Sequence, residues 1–238
     1  ADRRFHSQTN TCPTCGIPIF LSDHDNNAVP VAQENLFFHV AGLIKNGNIV
    51  AIKNTGGYLL CCDAANEAAI KKLRQRKNRP RKPFAVLYPS IERLEQDLHV
   101  PEEEKKELKC VQSPIVIISS KNFSGKLCMD QIASGLSCLG LMLPYSAILE
   151  LLTEALQIPI IATSGNIHGS PILSDNRKAL EELACVADYF VQHHLEIRNP
   201  QDDSVIKFST KYRHRIVFRR SRGFAPGYFG EIASNGEK

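Results

Sequence analysis

Twelve residues, Lys71 to Lys82, read KKLRQRKNRPRK and run straight into the apolar segment Pro83-Phe84-Ala85-Val86-Leu87-Tyr88. Eight of the twelve are Lys or Arg and none is acidic. A charge run is ordinarily a solvated helix face. This one is spliced to a stretch of buried-strand length, so the fold has to carry the end of a strongly basic helix into the border of a sheet. Whatever lies beside it is then an anion. Asn54-Thr55-Gly56-Gly57 stands a loop's length upstream, and its glycines allow close backbone approach to a bound group.

The pattern around this junction is that of an α/β chain. Leu36, Phe37, Val40, Leu43 and Ile44 recur at helical spacing within Val31 to Lys45, with Gly47 placed as a C-cap. Strands are expected at 48–53 and 58–62, and a helix from Ala64 to about Arg79. Asp63 is its expected N-cap, Ala69, Ile70 and Leu73 its sheet-facing residues, and Pro80 and Pro83 its stop. Further strands are predicted at 113–119, 139–143, 158–163, 189–192, 204–208 and 215–219, with helices at 145–157 and 175–186. Helices alternate with strands while hairpin-like strand pairs also occur, which implies a twisted, mixed open sheet flanked by helices.

Length and charge set outer limits. A chain of 238 residues can bury a full core. Its net charge of +4, from 29 basic and 25 acidic residues, is too small to signal nucleic-acid binding by itself. The basic residues cluster, at 71–82 and again from Lys211 to Arg222. No apolar run approaches the roughly 20 residues of a membrane span and no signal peptide is evident, so a cytoplasmic location is expected. Cys61, Cys62, Cys138 and Cys185 fall in apolar segments, where a reduced cysteine acts as a small hydrophobe. Residues 1–28 differ in composition and hold Cys12-Pro-Thr-Cys15-Gly, half of a four-ligand zinc site. His6 or His24 could add a ligand, but a truncated zinc knuckle explains the lone pair better.

Three polar elements interrupt apolar strands: Lys53 to Gly57 with Thr55, the basic run ending at Arg76, Arg79 and Lys82, and Thr163-Ser164-Gly165-Asn166. Hydroxyls, an amide, glycine N–H groups and fixed cations together suit a triphosphate. Neither phosphate-loop nor dinucleotide fingerprints are present, so the nucleotide site is of another kind. On a helix Arg74 and Lys77 point away from Arg79 and read as solvated. Asp202-Asp203-Ser204 could hold a metal or ribose, or simply cap the strand after it.

In these same residues the chain resembles the HypF carbamoyltransferases of NiFe-hydrogenase maturation. The likeness runs in order through Asp2 to His6, CPTCG, KNTGGY, LRQRKNRPRKPFAVL, SPIVI, GLMLPY, ATSGN, DDSV and Arg219 to Pro226. It implies the end of a zinc-finger region over 1–28, with further cysteine pairs ahead of Ala1. A YrdC-like nucleotide-binding domain would cover 29–229, and 230–238 would lead toward another domain. It also implies a reaction, in which carbamate released from carbamoyl phosphate condenses with ATP to carbamoyl-adenylate. The carbamoyl group later passes to the partner HypE. Lys53, Arg79 and Lys82 then stand as catalytic candidates. Thr55, Arg76, Thr163, Ser164, Asn166 and Arg220 would contact ATP, magnesium would arrive with it, and zinc would sit at Cys12 and Cys15.

The family's Lys-Gly-Leu-Gly-Gly is Lys53-Asn54-Thr55-Gly56-Gly57 here, and arginines expected near Leu195 and Pro200 are absent, with Arg198 the available substitute. Those departures sustain a non-catalytic relative as one alternative. Another is the threonylcarbamoyl-adenylate synthase of tRNA modification, which shares the basic run and the SGN loop. An RNA-binding module is disfavoured because the basic run lacks aromatics for base stacking.

Overall fold

In the computed structural model, residues 16–167 and 169–225 are described. Ten strands form one sheet: β1 (Ile19–Asp23), β2 (Val50–Asn54), β3 (Gly57–Asp63), β4 (Ala85–Leu87), β5 (Ile115–Ser119), β6 (Cys138–Met142), β7 (Ile160–Ser164), β8 (Tyr189–His193), β9 (Val205–Phe208) and β10 (Arg215–Arg219). Their spatial order is β1-β8-β2-β3-β7-β4-β6-β5-β9-β10. The pairs β2–β8, β4–β6 and β5–β9 are parallel and the rest antiparallel, so the sheet is mixed as expected.

Seven α-helices occur among the described residues: α1 (Leu36–Lys45), α2 (Glu67–Arg76), α3 (Ile91–Asp97), α4 (Glu102–Leu108), α5 (Met129–Ile132), α6 (Ala147–Leu156) and α7 (Asn176–Leu183). Apolar periodicity foretold α1, α2, α6 and α7. It missed α3, α4 and α5, which are seven residues or fewer and bury only one to three side chains each. It also missed β1. That strand lies inside the segment set apart at 1–28, yet pairs with β8 along its whole length.

Helix α2 differs in detail from its expected form. Asp63 ends β3 and its carboxylate accepts from the Ala65 N–H at 2.8 Å. Asn66 is the cap, its Oδ1 accepting from the Ala69 N–H at 3.0 Å. The helix stops at Arg76, well before Pro80, because Asn78 turns the chain through φ +48°, a left-handed conformation that Asn tolerates. Ala69, Ile70 and Leu73 are buried as expected.

The two faces of the sheet are covered unequally. On one, α2, α3, α4, α5 and α7 pack Ile70, Leu94, Leu108, Ile132 and Leu183 against Leu60, Val86, Val116, Leu141 and Ile161. On the other, among the described residues, only α1 and α6 pack, placing Val40, Ile44, Leu149 and Leu152 over Val50, Ile52, Leu59, Cys61 and Ile160. The register row Ala162–Ala85–Gly140–Ile117–Lys207 crosses β7, β4, β6, β5 and β9 on this second face. Its small residues bury little area and hold no helix, which leaves an open hollow. Among the described residues no helix is long and apolar enough to cross a membrane. Cys61 and Cys62 are buried and Cys138 is partly so, whereas Cys185 is exposed and does not serve as core.

Asn66→Ala removes the capping acceptor of α2 and is expected to lower stability by about 1 kcal/mol. Urea denaturation followed by circular dichroism measures this, and an unchanged midpoint would mean the helix start does not depend on Asn66.

Candidate functional site

The hollow is a cleft of about 340 Å³. Its floor is Ala85, Gly140, Ala162, Ile115 and Ile117, its ends are Leu136, Cys138 and Phe218, and its polar wall is Arg79, Lys82, Thr163, Ser164, Asp202 and Arg219. The last basic residues therefore arrive beside the middle of the sheet, because β4, which follows them, lies between β7 and β6.

Arg79 is anchored among neutral acceptors. Its guanidinium donates to Thr163 Oγ1 at 2.8 Å and to the Pro83 carbonyl at 2.5 Å, and stacks on Phe84 4.8 Å from the ring centroid. Burial, then the neighbouring Arg74, pull its pKa down to about 10. The Lys82 ammonium has no hydrogen-bond or ion-pair partner among the described residues. Its pKa is likewise lowered by burial, Arg79 and Arg219, against the pull of Asp202. Arg219 reaches Asp202 Oδ2 at 2.6 Å and the Asp203 carbonyl at 2.7 Å. Three cations thus line a pocket holding one carboxylate, Asp202, that faces them. Asp203, also in the lining, is spent on Arg222 at 2.8 Å.

Lys77, which reads from sequence as solvated, is buried. Its Nζ donates to the Ser164 carbonyl at 2.7 Å, to the Asn166 carbonyl at 2.5 Å and to Asn166 Oδ1 at 2.8 Å, using all three ammonium protons. Burial first, then Arg79 and Lys82, pull its pKa down to about 7. Helical phase in fact points it inward: Lys77 keeps a helical backbone, its N–H donating to the Leu73 carbonyl at 3.0 Å, and it follows Ala69 and Leu73 at four-residue steps on the buried face. Ser164 Oγ donates to Asn166 Oδ1 at 3.0 Å. Gly165 is pressed against β3, and a Cβ there would lie 2.6 Å from Tyr58 Cβ and 2.8 Å from the Tyr58 carbonyl oxygen. Arg74 is not solvated either; it donates to the Gln131, Arg79 and Lys82 carbonyls and braces the turn between α2 and β4.

The candidates from sequence therefore divide. Arg79, Lys82, Thr163 and Ser164 converge on the cleft, and Asn166 stands behind it on Lys77. Lys53 lies elsewhere, its Nζ donating to Asn176 Oδ1 at 2.7 Å and to the His193 carbonyl at 3.1 Å. Burial lowers its pKa. Arg76 is on the far side of the turn, paired with Asp188 at 2.8 Å alongside Lys72. Thr55 is exposed at the tip of the β2–β3 hairpin, where Gly56 packs on the Gln201 carbonyl and not on an open site. Arg220 is exposed just after β10, and Arg198 pairs with Glu196 at 3.7 Å on the surface. Asp202 and Asp203 are neither a metal pair nor a simple cap, since each carboxylate meets an arginine. Arg219, unnamed among the candidates, is signalled in the sequence by the second basic cluster and by the likeness that runs from Arg219 to Pro226. Cys12 and Cys15 lie outside the described residues. No group of three or more His, Cys, Asp or Glu side chains suited to a metal occurs among the described residues.

The Sua5/YciO/YrdC family model, described as "Telomere recombination", matches residues 42–221, and the "HypF finger" model matches residues 1–22. The carbamoyltransferase HypF of Rhodobacter capsulatus is 36% identical over 231 residues, covering 95% of this chain and 29% of the relative. The HypF of Synechocystis sp. is 40% identical over 204 residues, covering 86% and 26%. The chain thus spans less than a third of the length of these relatives. The crystal structure of a full-length HypF in its phosphate- and nucleotide-bound form superposes with a TM-score of 0.84 at 38% identity, over 94% of this chain and 28% of that one. The Sua5 of P. abyssi in complex with L-threonine shares the fold, with a TM-score of 0.68 at 24% identity over 81% of this chain and 56% of that one. The open-faced mixed sheet, the cationic cleft at the end of β7 and these matches agree: this chain belongs to the Sua5/YciO/YrdC family, in a form similar to the HypF carbamoyltransferases and with a HypF finger match over residues 1–22.

Proposed function

We propose that this chain is the carbamoyl-adenylate-forming domain of a HypF-type carbamoyltransferase. The observation that carries the reading is the under-neutralised cation set Arg79, Lys82 and Arg219, facing a cleft with an apolar, small-residue floor. A flat base and ribose suit the floor, and phosphates suit the cations.

In this reading the adenine rests on Ile115, Ile117 and Gly140. The phosphates meet Lys82 and Arg79 beside Thr163 and Ser164, and Lys77 holds the Ser164–Asn166 loop in place. Magnesium enters on the phosphates, because Asp202 and Asp203 are occupied by arginines. A carbamate oxygen attacks the α-phosphorus, the bond to the oxygen bridging the α- and β-phosphorus atoms breaks, and pyrophosphate leaves with that oxygen. No protein nucleophile is needed. The cations offset the charge that builds on the departing pyrophosphate, an electrostatic and positioning task. Carbamoyl phosphate would supply the carbamate and HypE would receive the carbamoyl group, both in company with the remainder of a HypF-like chain. Zinc at Cys12 and Cys15 would need ligands beyond that pair.

Pyrophosphate release from Mg-ATP tests the reaction. Ammonium carbamate is expected to support it, and Lys82→Ala to reduce it about 10²-fold. Threonine plus bicarbonate supporting it instead would reassign the chain to threonylcarbamoyl-adenylate synthesis, and release indifferent to the acyl donor would contradict both.

Lys77 and Lys82 give the binding a pH signature. Their depressed pKa values rise again when an anion balances the cluster, so above about pH 7 nucleotide binding takes up protons. Affinity therefore falls as pH rises. Between pH 8 and 9 a terminal phosphate with a pKa of about 6 is already ionised, so the slope reports the lysines. Calorimetry in two buffers of different protonation enthalpy is expected to show net proton uptake, reduced in Lys77→Met; zero uptake in the unaltered protein would contradict the electrostatic picture.

A further inference from the structure

The cleft does not end at β5. Ile117 and Cys138 line both it and a second hollow of about 340 Å³, bounded by Ser119, Lys121, Asn122, Ser137, Lys207 and Thr210. The register explains the continuity. Lys207 is the next residue after Ile117 on the row that forms the cleft floor, so its side chain leaves the same face of the same sheet. From β7 to β9 that row crosses four strand spacings, roughly 19 Å at about 4.8 Å each.

The chemistry of the second hollow is distinct from that of a packed surface. The Lys121 and Lys207 ammonium groups have no acidic or hydrogen-bonding partner among the described residues, although both line a concavity. Arg213, at the far rim, is satisfied by Glu103 and Glu104, its guanidinium meeting the buried Glu104 carboxylate directly. That carboxylate is therefore already committed, and the two lysines are left to whatever enters. Around them Ser119, Ser137 and Thr210 supply hydroxyls and Asn122 an amide. Lys121, Lys207 and Arg213 outnumber the one carboxylate of the lining, Glu104, and that excess of positive charge beside hydroxyl and amide donors suits a small, highly charged oxyanion.

We infer that this second hollow is a phosphate-group site, taking inorganic phosphate or a phosphate monoester beside the first cleft. It is separate from the triphosphate contacts at Arg79 and Lys82, lying across β6 and β5 from them. Both hollows can be filled at once, because they share only Ile117 and Cys138. The inference stands whether or not the first cleft makes carbamoyl-adenylate.

Amide chemical shifts of the full chain, titrated with inorganic phosphate at matched ionic strength in the presence and absence of a saturating non-hydrolysable ATP analogue, test it. The expected result is a saturable set of shifts at Ser119–Asn122 and Lys207–Thr210 that persists with the analogue bound. Lys121→Gln with Lys207→Gln is expected to weaken that set at least ten-fold, while shifts caused by the analogue around Ser164 stay unchanged and show the variant to be folded. Lys82→Ala is expected to do the reverse. Phosphate shifts confined to the surroundings of Arg79 and Lys82, shifts abolished by the analogue, or shifts unaltered in the double variant would each overturn the assignment. An analogue that fails to bind while the second set persists would count against the nucleotide reading and leave this one standing.

Discussion

One buried ammonium ties the site together. Lys77 stands at the end of α2, three carbonyl-type oxygens of the Ser164–Asn166 loop take its three protons, and the loop is thereby fixed to the basic turn. An ammonium taken out of water costs several kcal/mol unless its donors are met. Here they are met, but by neutral groups, with Arg79 and Lys82 close by. The turn is therefore fixed by the hydrogen bonds of Lys77, Arg74 and Arg79 and still short of negative charge. That combination holds Arg79 and Lys82 in place with little opposing charge beside them.

The sheet does the rest by omission. Five helices cover one face and two cover part of the other, and the uncovered row is built from Ala162, Ala85 and Gly140. A Leu at any of these would fill the hollow that the cations border. Glycine at 165 serves a related end, because only a residue without a Cβ lets the loop lie on the Tyr58 backbone, to which its N–H donates at 2.6 Å. At the opposite wall Arg219 and Arg222 pin Asp202 and Asp203, so the second basic cluster shapes the rim and offsets the charge of its carboxylates.

Much of this was legible in the chain, and the misses have physical causes. The long amphipathic helices and apolar strands follow from periodicity, and the convergence of the basic run with Thr163 and Ser164 follows from a helix spliced to a central strand. Lys77 continues the buried stripe of Ala69 and Leu73 at four-residue steps, so its inward direction is legible in the helical phase, and only its charge argued for solvent. Arg76 and Lys53 carry the right charge for phosphate, yet Asp188 and Asn176 claim them, and partners distant in sequence by over a hundred residues leave no local signal. Short helices α3 to α5 bury too few residues to set a period. The second hollow could not be read at all, since it exists only through the register of β5 against β9.

The proposed activation of ATP toward a carbamate at the cationic cleft is probed most directly by running it in reverse. Labelled pyrophosphate, supplied with ATP, magnesium and carbamate, is expected to enter the ATP pool at a rate that vanishes without carbamate and falls sharply in Lys82→Ala. Exchange that proceeds equally without carbamate, or that is absent while Mg-ATP binds normally, would contradict the account.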